Sequence, residues 1–323
     1  MLASVVQTHR HTIESEALRG NPLGDPHERP LWVTVPDGDG PWPSIYVIQG
    51  MTGRVDMWLN RWPMRKTVFE LLEEEPPEAL LVWVDAYTVL GGSQYLDSPA
   101  IGRYHTYLCD EVVPWVDARY PTLAAASHRG IAGKSSGGYG AMVTPMLRPD
   151  LFGALATHSG DALFEVCYLR EFAQVARVLR ERYGGSYERF WADFRGRPAL
   201  TRHGDEWLVN TYCMAAAYSE GELPFVLETG ELRPEVFARW LEWDPVRMAP
   251  RHADALRGLR GIWIDAGTRD EYYLDLGAIA FRDALAALGV TETVRFELFD
   301  DDHQQVEYRY PPALRWLATR LAA

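Results

Sequence analysis

The residues with the clearest chemical potential are Gly133-Lys134-Ser135-Ser136-Gly137, followed by Gly138-Tyr139-Gly140-Ala141. The apolar segment Arg129–Ala132 leads into them, and a helical pattern carrying Ala, Met and Leu follows. A G-x-S-x-G sequence between a strand and a helix sets its serine on a tight, strained turn. Small residues two places before and two after it keep neighbouring backbone from colliding. Ser135 would then present its Oγ at the C-terminal edge of a sheet. The helix N-terminus beside it favours developing negative charge. Counted from Ser136, the residue two places before is Lys134, which would crowd the turn, so Ser136 is expected to offer a backbone N–H instead. The plainer reading of the same residues is a strand–helix turn with an N-cap.

A serine hydroxyl is too weak an acid to attack a carbonyl carbon unaided. It needs a base within hydrogen-bond reach and an acid that orients the base. The segment Gly261–Ala266 runs into Gly267-Thr268-Arg269-Asp270-Glu271-Tyr272. Asp270 falls in the loop past the strand, Asp265 lies within the strand, and Glu271 stands one residue further on. Asp270 is the expected acid; its competing role is to cap the following helix. The segment Thr293–Phe299 runs into Asp300-Asp301-Asp302-His303. His303 therefore follows the last strand and precedes the C-terminal helix, where a base is needed. The three aspartates lack partners at cation-binding spacing and read as a solvated loop. Oxyanion donors are expected from the Ser136 N–H and from Gln49-Gly50-Met51-Thr52-Gly53, with Met51 first and Gly50 the alternative. These groups predict acyl transfer to water through an acyl-serine, with no metal or organic cofactor. Transfer to another alcohol, or a non-catalytic binding module on the same fold, are the competing readings.

The elements that must position these groups alternate along the chain. Short apolar runs at Leu31–Val35, Ser44–Gln49, Ala79–Asp85, Arg129–Gly133, Gly153–His158, Gly261–Ala266 and Thr293–Phe299 read as strands. Several are nearly continuous apolar stretches, the pattern of strands buried on both faces of a mainly parallel sheet. Helical patterns lie between them at about 62–74, 105–118, 136–148, 271–288 and 311–322. The alternation predicts an α/β fold, one domain with a central sheet flanked by helices. From 162 to 258 no strand is evident. Leu163–Tyr183, Ser186–Phe194, Asp205–Ala217 and Pro234–Trp243 look helical, and the stretch reads as a helical cap inserted between two strands. Residues 1–30 read as an arm or edge segment. Trp58, Trp62, Tyr87, Tyr95, Tyr139, Tyr168, Tyr272 and Tyr273 fall in loops expected to face the site, where aromatic walls would suit an acyl or aryl group, or else they pack the core and cap; Gln49, Trp58, Tyr95, Tyr139 and Tyr272 are the candidate substrate contacts.

Composition removes other classes. With 47% hydrophobic and 24% charged residues the chain is not a disordered one. A net charge of −13 would repel a phosphate backbone, so nucleic acid is not an expected partner. The first residues carry no basic and apolar signal pattern, and no apolar run reaches membrane-spanning length, so a cytoplasmic protein is expected. Three widely spaced cysteines, Cys109, Cys167 and Cys213, read as small core hydrophobes. The expected partner is a small-molecule ester, and a homo-oligomer is compatible with the sequence.

Taken together, these motifs resemble the branch of the α/β-hydrolases that holds S-formylglutathione hydrolase (esterase D), feruloyl esterases, enterochelin esterase-like proteins and mycolyltransferases. Residues 48–53 look like that family's oxyanion loop. Gly92-Ser93-Gln94-Tyr95 and the stretch from Tyr107 to Tyr120 look like its segment before the elbow. Arg129 to Met142 resembles the elbow, His158-Ser159-Gly160-Asp161 the next strand end, and Gly267 to Asp270 the acid loop. The resemblance spans about 20–320, is weakest over 165–250, and leans toward the enterochelin esterase-like proteins. It implies a serine carboxylic ester hydrolase with Ser135, Asp270 and His303 as its triad. A large anionic chelate would need a cationic cluster, and only Arg103 and Lys134 are expected near the site.

Overall fold

A computed structural model describes residues 7–60, 65–198, 202–304 and 306–322; Trp62 lies outside them. Among the described residues the apolar runs form one eight-stranded sheet. Its strands are β1 (Gln7–Glu14), β2 (Glu28–Val35), β3 (Ser44–Ile48), β4 (Leu80–Val84), β5 (Arg129–Lys134), β6 (Ala154–His158), β7 (Gly261–Gly267) and β8 (Val294–Phe299). Their order across the sheet is β1-β2-β4-β3-β5-β6-β7-β8. The pairs β1–β2 and β2–β4 are antiparallel, and every pair from β4 to β8 is parallel. The chain is thus an α/β protein with a mostly parallel central sheet. β3, β4, β6 and β7 are buried throughout, as their apolar runs require, whereas β8 is half-buried because it forms one edge. The opposite edge is β1, whose polar alternation leaves only Ile13 buried.

Period-two alternation sends side chains to two cores. Tyr46 and Ile48 of β3 join the larger cluster, and Ile45 and Val47 the smaller one. The smaller cluster is closed by the helix Tyr310–Ala322, whose buried residues Tyr310, Ala313, Leu314, Leu317 and Leu321 make one helical stripe. On the other face pack Ser136–Leu147, Leu274–Ala287 and the helical run 104–117.

Between β6 and β7 the chain makes helices, including Phe172–Tyr183, Tyr187–Arg195, Asp205–Ser219 and Pro234–Leu241. Their apolar residues Phe172, Tyr218 and Trp240 belong to the same cluster as Tyr139 of the helix after β5. The buried Asp244 carboxylate joins the two ends of this stretch. It accepts from the N–H groups of Leu163 and Phe164 at 3.1 Å and from Val246 N–H at 3.0 Å. No described helix is long and apolar enough to cross a membrane.

The parallel strands place their C-terminal ends along one rim. Residues 49–53, 135, 136, 161, 270 and 303 all lie in segments that leave this rim, the usual place for a site in an open α/β sheet.

Candidate active site

Ser135 occupies the first turn after β5 at φ 56°, ψ −127°, a conformation that L residues rarely adopt. Its N–H is shared between the carbonyls of His158 and Ser159, at 3.0 and 3.1 Å, which fixes the turn against the end of β6. The flanking glycines are required by contact. A Cβ at Gly133 would stand 2.2 Å from Gly137 O, and one at Gly137 would stand 2.5 Å from Ile48 O. Gly50 brings the loop after β3 against this turn: a Cβ there would lie 2.9 Å from Lys134 O and 3.3 Å from Ser135 Cβ. The N–H groups of Met51 and Ser136 meet no backbone acceptor among the described residues.

The loops after β7 and β8 are bound to one another. Thr268 N–H donates to Phe299 O at 2.8 Å, and Arg269 N–H to Asp301 O at 2.9 Å. Across this seam His303 Nδ1 stands 2.8 Å from Asp270 Oδ2. Asp270 Oδ1 accepts from Tyr272 N–H at 2.9 Å. The neighbouring Glu271 holds the His303 backbone, accepting its N–H at 2.9 Å. The Tyr272 ring meets the imidazole edge-on at 4.9 Å between centroids. Both His303 and Asp270 are buried, at 5% exposure each. Burial alone would raise the Asp270 carboxyl, but the His303 hydrogen bond, its charge and the Tyr272 N–H hold it below the ordinary range. An imidazole that donates Nδ1–H to Asp270 keeps a lone pair on Nε2.

A cavity of about 460 Å³ opens at the rim. Ser135, Ser136 and His303 line it, as do Gly50, Met51 and Tyr272. Asp270 lies behind the imidazole. The helical stretch between β6 and β7 contributes Cys167, Tyr168, Glu206, Val209 and Asn210. Among the described residues no group of three or more His, Cys, Asp or Glu is placed to hold a metal ion.

Four of the expected substrate contacts lie elsewhere. Trp58 is 1% exposed and wedged against Trp83 and Tyr310, with centroids at 5.1 and 4.8 Å, so it is a core residue; its neighbour Met57 lines the cavity. Tyr139 is buried between the sheet and the helical stretch, meeting Phe164 and Tyr218. Tyr95 sits behind the loop after β3, where its hydroxyl donates to Gln49 O at 2.7 Å. Gln49 is 2% exposed and is not among the residues that line the main cavity. Arg103 is not among the lining residues, and Lys134, which is, pairs with Glu307 at 3.2 Å. Asp161 and Glu206 lie in the wall; nothing local in the sequence marked either as part of the site.

Glu171, 2% exposed, backs that wall near Asn210. Burial pushes its carboxyl up to about 7 from 4.5, despite Arg170 at 3.5 Å. The native chain therefore holds this proton more tightly than the unfolded one, and stability falls as pH rises from 4.5 to about 7. Glu171→Gln is expected to raise stability near pH 8 by about 2 kcal/mol and to change it little near pH 4. Urea denaturation at the two pH values checks this; equal effects at both would show that the carboxyl is not shifted.

A family model described as "Putative esterase" matches residues 26–307. No curated protein matches the chain. Among solved structures, a ferulic acid esterase is similar with a TM-score of 0.61 and 18% identity, over 98% of this chain and 99% of its own. An S-formylglutathione hydrolase from Agrobacterium tumefaciens matches with a TM-score of 0.60 and 16% identity, over 99% of both chains. The enterobactin esterase of Shigella flexneri gives a TM-score of 0.54 and 16% identity, covering 98% of this chain and 61% of its own. These three share its fold.

Proposed function

The chain belongs to this esterase family and is a carboxylic ester hydrolase, and from that premise we propose that it works through an acyl-enzyme on Ser135 with Asp270 and His303. The observation that carries the proposal is the buried Asp270–His303 pair, whose imidazole lines the same cavity as the strained Ser135. In the first step His303 Nε2 takes the Ser135 proton while Oγ bonds to the ester carbonyl carbon. The carbonyl π pair moves onto oxygen, and the oxyanion rests on the N–H groups of Met51 and Ser136, or of Gly50 in place of Met51. Collapse breaks the bond to the alkoxy oxygen, and His303 returns the proton to the leaving alcohol. Water then attacks the acyl-serine by the same route and releases the acid. Asp270 holds the imidazole in the useful tautomer and stabilises its cationic form.

The cavity volume suits a small-molecule ester. The helical stretch 162–258 supplies one wall and acts as the cap that sets substrate choice, and Tyr272 also lines the cavity. Short p-nitrophenyl esters test the reading. The intact chain is expected to turn them over; a folded chain with no turnover and no labelling by a fluorophosphonate would reject it.

A further inference from the structure

Asp161 lines the reaction cavity although the residue is only 5% exposed. Its main chain is tied to the nucleophile turn, since Asp161 N–H donates to Ser135 O at 3.4 Å. Three donors from separate segments converge on one of its oxygens. Tyr168 Oη reaches Oδ2 at 2.7 Å, Gln94 Nε2 at 3.3 Å and Ser136 Oγ at 3.4 Å. The other oxygen, Oδ1, meets no donor among the described residues. Because Asp161 lines the cavity, this second oxygen is the one left for a ligand there.

A bare anion at this place works against the reaction. Asp161 stands beside Ser136, whose N–H is assigned to the oxyanion, so negative charge on both would repel in a low-dielectric site. Among the described residues that line the cavity, the one Lys or Arg is Lys134, which pairs with Glu307, and Glu206 adds a further acid to the wall. The arrangement makes sense if the substrate itself brings a donor to Oδ1. Resting on the acyl-enzyme reading above, we infer that the site takes esters carrying a hydroxyl or ammonium group within reach of the scissile carbonyl, and that Asp161 Oδ1 is the acceptor that selects them. Burial raises the Asp161 carboxyl, while the bond from Tyr168, the charge of His303 and the bonds from Gln94 and Ser136 oppose that rise. An anionic leaving group, by contrast, meets an acidic wall.

The test uses the full chain and matched esters in two series. One series is the ethyl esters of butyric, hydroxybutyric, methoxybutyric and aminobutyric acids. The other is the butyrates of propanol, ethylene glycol, methoxyethanol and ethanolamine. Each kcat/KM is divided by the rate of alkaline hydrolysis of the same ester. In one series a hydroxyl or ammonium member is expected to exceed both its methyl ether and its unsubstituted partner by about 10- to 100-fold. Which of the two leads tells a polyol-like from a cationic substrate. In Asp161→Asn the amide oxygen stays with the three donors, so the amide NH₂ occupies the Oδ1 position and now donates. The ammonium ester is then expected to lose its whole advantage and the methyl ether to gain. Ser135 labelling by a fluorophosphonate reports an intact nucleophile throughout. Labelled Ser135 with donor and ether esters hydrolysed within about twofold of each other in both series overturns this inference alone. Absence of labelling and of all turnover rejects the acyl-enzyme reading, and this one with it.

Discussion

Ser135→Ala is expected to lower kcat by about four to six orders of magnitude while leaving the fold in place. The loss is large because the reaction proposed here runs through a bond to Ser135 Oγ; what remains is binding and the oxyanion donors. The fold survives because Oγ is not a structural ligand. The turn is held by the Ser135 N–H on His158 O and Ser159 O, and by the contacts of Gly133 and Gly137, none of which needs the hydroxyl. The positive φ of 56° separates catalysis from stability further. Glycine reaches this conformation without a Cβ penalty, so Ser135→Gly should abolish turnover yet be at least as stable as Ser135→Ala, by about 1 kcal/mol. Kinetics beside urea denaturation of the three proteins checks both parts. Turnover surviving at the wild-type rate in either variant would remove Ser135 from the mechanism.

Asp270→Asn is expected to cost about four orders of magnitude in kcat, close to what removal of the nucleophile costs. The reason lies in which oxygen has which partner. Asp270 Oδ1 accepts the Tyr272 N–H at 2.9 Å, while Oδ2 faces His303 Nδ1 at 2.8 Å. An asparagine satisfies Tyr272 only by keeping its oxygen there, which turns the amide NH₂ toward Nδ1. The imidazole must then carry its proton on Nε2, where the base lone pair was. Because both substitutions disable one unit, the double variant should be scarcely worse than either single one. The same pair leaves a mark on stability. The Asp270 carboxyl is held below its ordinary value of 3.8, so its stabilising contribution is present above that pH and is lost as pH falls through the lower native value. A Asp270→Asn protein should lack this acid-side loss. Unchanged kcat, with the fold intact, would move the orienting role to another residue.

How far the site could be read from the sequence depends on how local its signals are. Ser135, Asp270 and His303 each follow a short apolar strand at a turn, and a strand end is a local pattern. The strand boundaries came out within a residue or two for β3 to β8 for the same reason. Wall residues carry no such signal. Trp58 follows the oxyanion loop and looks like a substrate contact, but Trp83 and Tyr310, far away in the chain, enclose it in the core. Tyr139 fails in the same way, through Phe164 and Tyr218. Asp161 shows the reverse case. In sequence it is the last letter of a strand end; it becomes a recognition group only when Gln94, Tyr168 and Ser136 arrive on one of its oxygens. Aromatic and acidic residue types are shared by cores and walls, and only the long-range packing separates them.

The most direct measurement is peptide mapping by mass spectrometry after reaction of the folded chain with a fluorophosphonate. One adduct is expected, on Ser135, forming with loss of esterase activity and absent from Ser135→Ala. An adduct on another residue that accompanies inactivation, or unlabelled Ser135 in a chain that still hydrolyses esters, would contradict it.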